Sequence, residues 1–189
     1  IGSGLVGSEM CIRDRSYMEP QTLLAMEHNM FTPGNYFYNG VGHVTVKYGE
    51  VLEIGFSGIR AKAEAELAKL SLADGDYQKR SRFLEAVMIS CDAAVTYARR
   101  YAKLALEEAE KCTDPVRKME LLVIAQNCAN VPEKGANGFY EACQSFWFVQ
   151  QLLQIESSGH SISPGRFDQY MYPYYKKDLD SGKITRAQA

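Results

Sequence analysis

The most apolar stretch of the chain, Phe139 to Ile155, constrains the fold more than any other part of the sequence. Apolar side chains return there at intervals of about three to four residues, which predicts an α-helix from Phe139 to Glu156. Further apolar residues fill the remaining sides of this helix: Phe148, Val149, Leu152 and Ile155. A helix that is apolar on most sides is buried in a larger body. We therefore expect other parts of the protein to enclose this element.

A polar stretch with helix-breaking residues follows this helix directly. Gly159, Pro164 and Gly165 interrupt it, and polar side chains accompany them: His160, Ser161, Ser163, Arg166 and Asp168. A turn after a buried helix is a common place for side chains that line a pocket. The same residue types also serve as helix caps and turn residues. From composition alone, the stretch from Ser157 to Tyr175 is therefore either a wall of a binding site or an ordinary connection between helices.

The overall composition excludes several classes of protein. The chain has 189 residues, which suits one domain or a piece of a larger one. Its net charge is -2, and it has no basic patch that would favour a nucleic-acid partner. No apolar run reaches the roughly 18 residues that a membrane span requires. The scattered cysteines show no C-x-x-C spacing, which argues against a disulfide framework or a zinc site and favours a reducing, cytoplasmic location. Four of them lie in helical patterns and are expected to be core positions: Cys91, Cys112, Cys128 and Cys143.

The remaining sequence predicts mainly helices. The spacing of apolar residues and the caps favour these segments: Pro20–Met30, Tyr48–Leu70, the stretch from a cap at Asp76 or Ser81 to Lys111, the stretch from an N-cap at Asp114 to Asn130, and Phe167–Leu179 with a kink at Pro173. Phe83 belongs to the predicted apolar face of the third helix, and Pro115 marks the first turn of the fourth. Gly55 and Gly58 either weaken the second of these helices or allow close packing. The alternation at Val44, Thr45 and Val46 indicates a very short strand.

Both ends of the chain indicate a partial protein. Residues 1–16 match neither a signal peptide nor a helix, and the string from Ser8 to Arg15 resembles translated sequencing-adapter sequence. We therefore set this segment aside and treat residues 17–189 as one partial domain, truncated at both ends. Near the C-terminus, Ile184 and Thr185 predict the cap of a helix that Ala189 cuts off.

Two stretches carry a resemblance to a known family. The first runs from Gly34 to Tyr48 and contains Gly40-Val41-Gly42-His43-Val44. The second contains Phe139-Tyr140-Glu141-Ala142, Phe146-Trp147-Phe148 and Gly159-His160-Ser161-Ile162-Ser163-Pro164-Gly165-Arg166-Phe167-Asp168-Gln169-Tyr170. Together they resemble the glycyl radical enzymes of the pyruvate formate-lyase family, and most closely its cobalamin-independent glycerol and diol dehydratases. The resemblance covers roughly Glu19 to Ala189.

The resemblance implies a fold class and a set of partners. Glycyl radical enzymes are α/β barrels of ten strands around two loops, one with a thiyl-forming cysteine in a Cys-x-Glu motif and one with the glycine that stores the radical. Neither motif occurs in this sequence, so we expect a mainly α fragment, the outer helical layer and first segments of that barrel. The resemblance also implies a small polyol substrate, no bound metal or organic cofactor, and a homodimer when intact. A radical S-adenosylmethionine activase would install the glycyl radical, which lies outside this fragment.

By position, the resemblance assigns substrate contacts to His43, His160 and Ser161. In the dehydratases, hydrogen is removed from one carbon and the hydroxyl on its neighbour leaves, so a hydrogen-bond donor on that oxygen lowers the barrier. Histidine, with a reference pKa of ~6.5, can donate at neutral pH, and a serine hydroxyl can orient a substrate hydroxyl. We expect His43 to act in catalysis and substrate binding, and His160 and Ser161 in substrate binding. The carboxylate base would lie outside this chain.

Position 43 also separates branches of the family. Pyruvate-cleaving members align an arginine there, which pairs with a substrate carboxylate, whereas His43 favours a neutral polyol. The expected reaction is radical dehydration of glycerol or a 1,2-diol. One alternative is formate C-acetyltransferase or another glycyl radical enzyme that cleaves C–C or C–N bonds, and another is a non-catalytic helical interaction module. Arg166 and Asp168 are expected to form an ion pair, and several tyrosines to pack: Tyr170, Tyr172, Tyr174 and Tyr175.

Overall fold

The computed structural model describes residues 19–28, 30, 44–156 and 162–189. Within these ranges the chain forms helices and two short strands: α1 (Pro20–Glu27), β1 (Val44–Thr45), α2 (Tyr48–Leu67), α3 (Tyr77–Lys111), α4 (Pro115–Asn130), α5 (Phe139–Glu156), β2 (Ile162–Ser163) and α6 (Phe167–Asp180). The mainly helical content agrees with the sequence prediction. Across the described ranges, no helix has both the length and the apolar character that a membrane crossing needs.

The chain divides into two units. The first consists of Ile1–Val44 and Leu153–Ile162, and the second of Thr45–Leu152 and Ser163–Ala189. In the first unit, α1 begins with Pro20, whose missing N–H would have no partner in a first helical turn anyway. The helix ends at Glu27 and not at Met30, the last residue that the sequence predicted for it. None of its residues is buried.

Helix α2 in the second unit is interrupted at Gly55. This residue has a φ of 66°, a left-handed conformation that favours glycine. The interruption frees backbone groups, and the N–H groups of Phe56 and Ser57 donate to the carbonyl oxygens of Pro132 and Glu133 at 2.8 and 2.9 Å. A Cβ at position 55 would overlap the Glu133 carbonyl oxygen. Of the two alternatives that the sequence left open for Gly55, a weakened helix or close packing, the structure thus confirms close packing.

Helix α3 buries a stripe of small side chains against α2 and α4. The stripe recurs at intervals of three or four residues: Cys91, Ala94, Ala98, Ala102, Ala105 and Ala109. The prediction placed Phe83 on this face, but Phe83 is 67% exposed. Because α3 has 35 residues while α2 has 20 and α4 has 16, neither neighbour can cover its whole length.

Helix α4 begins and ends as predicted. The Asp114 carboxylate accepts a hydrogen bond from the Val116 N–H at 2.9 Å, and Pro115 occupies the first turn. The helix ends at Asn130, before Pro132, which lies in the loop that contacts α2. The local caps therefore set both ends of this helix.

The cysteines that the structure describes differ in burial. Cys91 and Cys128 are each 3% exposed, and burial raises the pKa of the Cys128 thiol to about 11. Cys112 and Cys143 were also predicted to be core positions, but both are only partly buried. Cys112 follows the last residue of α3, so no further turn of that helix covers its thiol. Cys143 lies in the lining of a groove between α4 and α5, which leaves its thiol partly accessible.

Helix α5 has the predicted bounds but is buried on one face only. Its buried residues are Ala142, Ser145, Phe148 and Val149. Phe148 packs against Ala98, Ala102 and Cys128. Trp147 is 57% exposed and Tyr140 is 45% exposed. The enclosure expected for this helix is therefore not provided by the residues that the structure describes, because they cover only one of its sides.

Helix α6 runs from Phe167 to Asp180 with Pro173 in its interior. The Tyr174 hydroxyl donates to the Leu52 carbonyl of α2 at 2.9 Å, and the Ala136 N–H donates to the same oxygen at 2.8 Å. After α6, the helix predicted from Ile184 onward is replaced by a turn. There the Gln188 side chain accepts a hydrogen bond from the Thr185 N–H at 2.9 Å.

Candidate substrate site

The predicted substrate residues lie outside the part of the chain that the structure describes. These residues are His43, His160 and Ser161. The residues that follow His43 and Ser161 directly, Val44 and Ile162, are the first residues of β1 and β2. The structure therefore describes the residues that directly follow His43 and Ser161 in the sequence, and not these predicted site residues themselves.

Strands β1 and β2 pair with each other in a two-stranded sheet. The first strand starts directly after His43 and the second directly after Ser161, although these residues are more than a hundred positions apart. Ile162 is buried, whereas Val44 is 42% exposed. Backbone pairing thus joins the two chain segments that continue from the predicted site residues.

The turn after β2 lies against the end of β1. Gly165 has a φ of 65°, and a Cβ there would lie 2.7 Å from Cγ2 of Thr45. The Gly165 N–H donates to the Ser163 hydroxyl oxygen at 3.2 Å, and its carbonyl accepts from the Phe167 N–H at 2.9 Å. Both the backbone conformation and the approach to Thr45 therefore require glycine at this position.

An aromatic cluster joins α2, α5 and α6. Its members are Tyr48 of α2, Phe146 of α5, and Phe167 and Tyr170 of α6. The ring centroids lie 4.7 Å apart for Tyr48–Phe146, 5.1 Å for Phe146–Phe167 and 5.7 Å for Phe167–Tyr170. Tyr48 is 1% exposed, and its hydroxyl donates to the side-chain carbonyl of Gln150. Tilted and edge-to-face ring pairs of this kind stabilise packing beyond the area that they bury.

Tyr170 connects the aromatic cluster to the turn after β2. Its hydroxyl donates to the Pro164 carbonyl oxygen at 2.9 Å. Burial, together with the nearby Tyr48, raises the pKa of Tyr170 to about 12, so its phenol stays protonated at neutral pH. The predicted packing role of Tyr170 is confirmed. Its bond to Pro164 was not predicted, because it depends on the shape of the turn rather than on a sequence spacing.

The charged residues of the turn interact with each other. Arg166 Nε lies 3.7 Å from an Asp168 carboxylate oxygen, which confirms the expected ion pair. The two side chains are 73% and 76% exposed, so solvent screens this interaction. In the described ranges, no group of three or more His, Cys, Asp or Glu residues could hold a metal ion.

A separate apolar groove of about 960 Å³ lies between α4 and α5. Its lining includes Val116, Met119, Val123, Tyr140 and Trp147. Several of these side chains are more than half exposed, among them Val116 at 68% and Met119 at 61%. The described lining is mainly apolar and does not include Val44 or Ile162, the residues that directly follow His43 and Ser161, so we do not assign the predicted substrate site to this groove.

Comparison with solved structures gives close matches in fold. The structure that describes 1,2-propanediol dehydration in Roseburia inulinivorans matches with a TM-score of 0.80 and 63% identity, over 95% of this chain and 21% of that chain. The glycerol-bound form of the B12-independent glycerol dehydratase from Clostridium butyricum matches with a TM-score of 0.77 and 53% identity, over 91% of this chain and 22% of that chain.

Curated relatives and family models agree with these matches. The isethionate sulfite-lyase of Desulfovibrio desulfuricans is 52% identical over 144 residues, which cover 75% of this chain and 17% of that protein. The chain thus spans about a fifth of the length of the proteins that it matches. The family model described as pyruvate formate lyase-like matches residues 10–189. The chain therefore belongs to the pyruvate formate lyase-like family of glycyl radical enzymes.

Proposed function

We propose that this chain is the part of a glycyl radical dehydratase that binds a small polyol, either glycerol or a 1,2-diol. The observation that carries the proposal is its 63% identity to the structure that describes 1,2-propanediol dehydration. The 53% identity to a glycerol-bound dehydratase supports the same substrate class. Because the chain spans about a fifth of either protein, the activity belongs to the intact enzyme.

The proposed reaction converts a 1,2-diol into an aldehyde and water. For glycerol, the products are 3-hydroxypropanal and one water molecule, so all atoms of the substrate are accounted for. A radical held elsewhere in the intact enzyme supplies the removal and return of one hydrogen atom. The residues of this chain would bind the diol, orient it and stabilise the hydroxyl that departs as water.

Three residues carry these roles in the proposal. His43 donates a hydrogen bond to the departing hydroxyl, which lowers the barrier as negative charge develops on that oxygen. His160 and Ser161 hold the substrate hydroxyls, and the serine can both donate and accept. A histidine rather than an arginine at position 43 suits a neutral substrate, because a bidentate partner for a carboxylate is not needed.

The pairing of β1 with β2 supports a shared site for these residues. Each strand begins at the residue that follows a proposed substrate contact, His43 in one case and Ser161 in the other. Thr45 is the last residue of β1, and Gly165 follows the end of β2 by two residues. Their close approach supports the same arrangement at the opposite ends of the two strands. These contacts join two distant parts of the sequence.

The intact enzyme would require partners that follow from the family. We propose that a radical S-adenosylmethionine activase installs the glycyl radical outside these 189 residues. We further propose that the intact protein is a cytoplasmic homodimer that needs no bound metal or organic cofactor. These proposals rest on the family alone, since they concern parts of the enzyme beyond this chain.

A second candidate function is cleavage of a carbon–sulfur bond. The 52% identity to an isethionate sulfite-lyase favours it. Its substrate carries a sulfonate, so the site would need a cationic or strongly hydrogen-bonding partner for an anion. The candidate contacts in this chain are two histidines and a serine rather than an arginine, which favours the neutral polyol.

The decisive experiment uses the complete reading frame that contains these residues, expressed anaerobically with its activase. We expect aldehyde from glycerol or 1,2-propanediol and no sulfite from isethionate. The variant His43→Ala should lower kcat/KM by about 100-fold or more, because a general acid or hydrogen-bond donor is lost. His28→Ala, at an exposed position just after α1, is the matched control and should leave kcat/KM unchanged. Sulfite and acetaldehyde from isethionate, with no aldehyde from glycerol or 1,2-propanediol, would favour the second candidate, and no product from any of these substrates would overturn both.

A further inference from the structure

The apolar groove between α4 and α5 lies on the side of α5 that the described residues do not bury. Its volume is about 960 Å³, and its lining includes Trp147 of α5 and Val116 and Met119 of α4. These three side chains are 57%, 68% and 61% exposed. An exposed apolar surface of this kind marks a place where another part of a protein, or a partner, packs.

The charged residues of the groove neutralise each other. Arg117 Nη1 lies 2.7 Å from a carboxylate oxygen of Glu120, and both residues belong to the lining. The other residues of the lining carry no charge. Because a buried charge without a partner is costly, a groove of this composition favours an occupant whose contacting face is apolar and uncharged.

The turn at residues 185–189 makes the hydrogen bonds of a helix start. The Thr185 carbonyl oxygen accepts from the N–H groups of Gln188 and Ala189 at 3.1 and 3.2 Å. The second bond joins residues four positions apart, which is the spacing of an α-helix. The Gln188 side chain accepts from the Thr185 N–H at 2.9 Å, as the third helical residue does in a capping box. Thr185 therefore has the contacts of an N-cap residue.

This helix start lies beside the groove. The Tyr140 hydroxyl donates to the Gln188 carbonyl oxygen at 3.2 Å, and both residues belong to the lining. Just before the turn, Ile184 is 4% exposed, and its N–H donates to the Asp178 carbonyl oxygen of α6 at 3.3 Å. Contacts with α5 and α6 thus hold the turn in place. A helix that continues from Thr185 begins next to the apolar surface.

We propose that residues 185–189 form the first turn of a helix that continues after Ala189 in the intact enzyme, and that this helix covers the groove between α4 and α5. The chain spans about a fifth of the length of the proteins that it matches, which leaves ample length for such a helix. The buried face of this helix is apolar and uncharged, to match the groove. The inference does not depend on which substrate the enzyme converts.

Photo-cross-linking in the intact enzyme identifies the occupant. The photoreactive amino acid p-benzoylphenylalanine takes the place of Val116 in the complete reading frame, and mass spectrometry identifies the peptide that it captures. The matched control carries the same amino acid in place of Phe83, which is 67% exposed on α3 and does not belong to the groove lining. We expect the first variant to capture a peptide within roughly 20 residues after Ala189, the upper length of a typical globular helix. The control should not capture this peptide.

A mixture of isotopically light and heavy copies of the enzyme separates the same polypeptide from a second copy. Cross-links that join only light to light and heavy to heavy peptides would support the inference. Mixed cross-links would overturn it, because a second copy would then occupy the groove. Capture of a peptide from another part of the sequence, or of no peptide, would overturn it as well.

A variant of the helix start gives a second measurement that needs no photoreactive group. Gln188→Ala removes the side chain that accepts from the Thr185 N–H, so amides just after Ala189 should exchange several-fold faster. Oxidation of Trp147 by hydroxyl radicals should also rise, because the covering helix would open more often. Gln169→Ala, at an exposed position on α6, is the matched control and should change neither quantity. Unchanged exchange and oxidation in Gln188→Ala would overturn the inference.

Discussion

The Asp178 carboxylate on α6 accepts a hydrogen bond from the backbone N–H of Phe139, the first residue of α5, at 2.7 Å. Asp178 is 5% exposed, so this bond is shielded from water. A carboxylate at this position satisfies a free N–H group and also interacts favourably with the positive end of the helix dipole. Gly138 allows the approach, because a Cβ there would overlap the carboxylate oxygen. Helix α6 therefore caps the helix that leads to the proposed site.

Replacement of this carboxylate should loosen the start of α5. We expect Asp178→Ala to accelerate amide exchange in the first turns of α5 by about 10-fold or more, because a buried charge-assisted hydrogen bond contributes about 1.5–3 kcal/mol. Asp180→Ala is the control, since Asp180 is 60% exposed and pairs with Lys176 on the same helix. Exchange mass spectrometry on the intact enzyme measures both. Equal exchange in the two variants would contradict a capping role.

A side chain at Gly55 should be poorly tolerated. Gly55→Ala combines an unfavourable backbone conformation with a Cβ that would overlap the Glu133 carbonyl oxygen and lie 2.6 Å from the Lys134 Cα. We expect a loss of more than about 2 kcal/mol in the free energy of unfolding. Gly75→Ala should change it by less than about 0.5 kcal/mol, because no atom lies within 4 Å of a Cβ at that position. Denaturant unfolding curves would compare the two, and similar losses would contradict the role of Gly55 as the contact point of α2.

The fold should also lose one pH-dependent contribution in acid. Hydrogen bonds from Lys47 and Lys62, at 2.8 and 2.6 Å, lower the pKa of Glu50 to about 2 from its ordinary 4.5. A group whose pKa is lowered by folding stabilises the folded state fully above its ordinary pKa, and this contribution is lost as the pH falls through the folded-state value. The difference in melting temperature between wild type and Glu50→Gln should therefore shrink between pH 4.5 and pH 2.

Two controls check the assignment to Glu50. Glu85→Gln, at an exposed position on α3 without an ion pair among the described residues, should show no such dependence. Added salt should also reduce the contribution of Glu50, because exposed charges are screened. A difference between wild type and Glu50→Gln that persists unchanged at low pH would contradict the role of the two lysines.

The groove between α4 and α5 should make the isolated chain prone to self-association. Trp147 in this groove and Tyr172 on α6 are both 57% exposed, but of these two only Trp147 belongs to a continuous apolar surface. We expect Trp147→Gln to reduce the binding of a hydrophobic dye and the fraction of aggregated chain, because large apolar patches drive association. Tyr172→Gln should have little effect on either quantity. A monodisperse wild-type chain with a cooperative melt would contradict this expectation and would favour the alternative of an independent helical module.

Local signals in the sequence were sufficient for the long helices, although the helix predicted from Ile184 is a turn. Asp114 and Pro115 mark the start of α4 because a cap and a first-turn proline act on the nearest backbone groups. The apolar period likewise gave both ends of α5 correctly. The same period misjudged Phe83 on α3, because it reports which side of a helix is apolar and not how far a neighbouring helix extends.

The long-range contacts of the backbone could not be predicted from the sequence. The Asp178–Phe139 bond, the Tyr170–Pro164 bond and the contact of Gly55 with the loop after α4 each depend on how separate elements meet. No spacing rule connects such residues. The substrate residues His43, His160 and Ser161 were assigned from family resemblance rather than from their spacing, and their roles stay predictions. The pairing of β1 with β2 is the structural feature that brings their neighbours together.

The central claim is that this chain supplies the polyol-binding part of a glycyl radical dehydratase, and a chimera tests it most directly. Residues 17–189 would replace the matching part of the Clostridium butyricum glycerol dehydratase, which is 53% identical. The measured quantity is the aldehyde formed from glycerol by a chimera in which electron paramagnetic resonance detects the glycyl radical. We predict turnover within about tenfold of the parent, and a loss of about 100-fold or more with His43→Ala. A folded chimera that carries the radical and forms no aldehyde would contradict the claim.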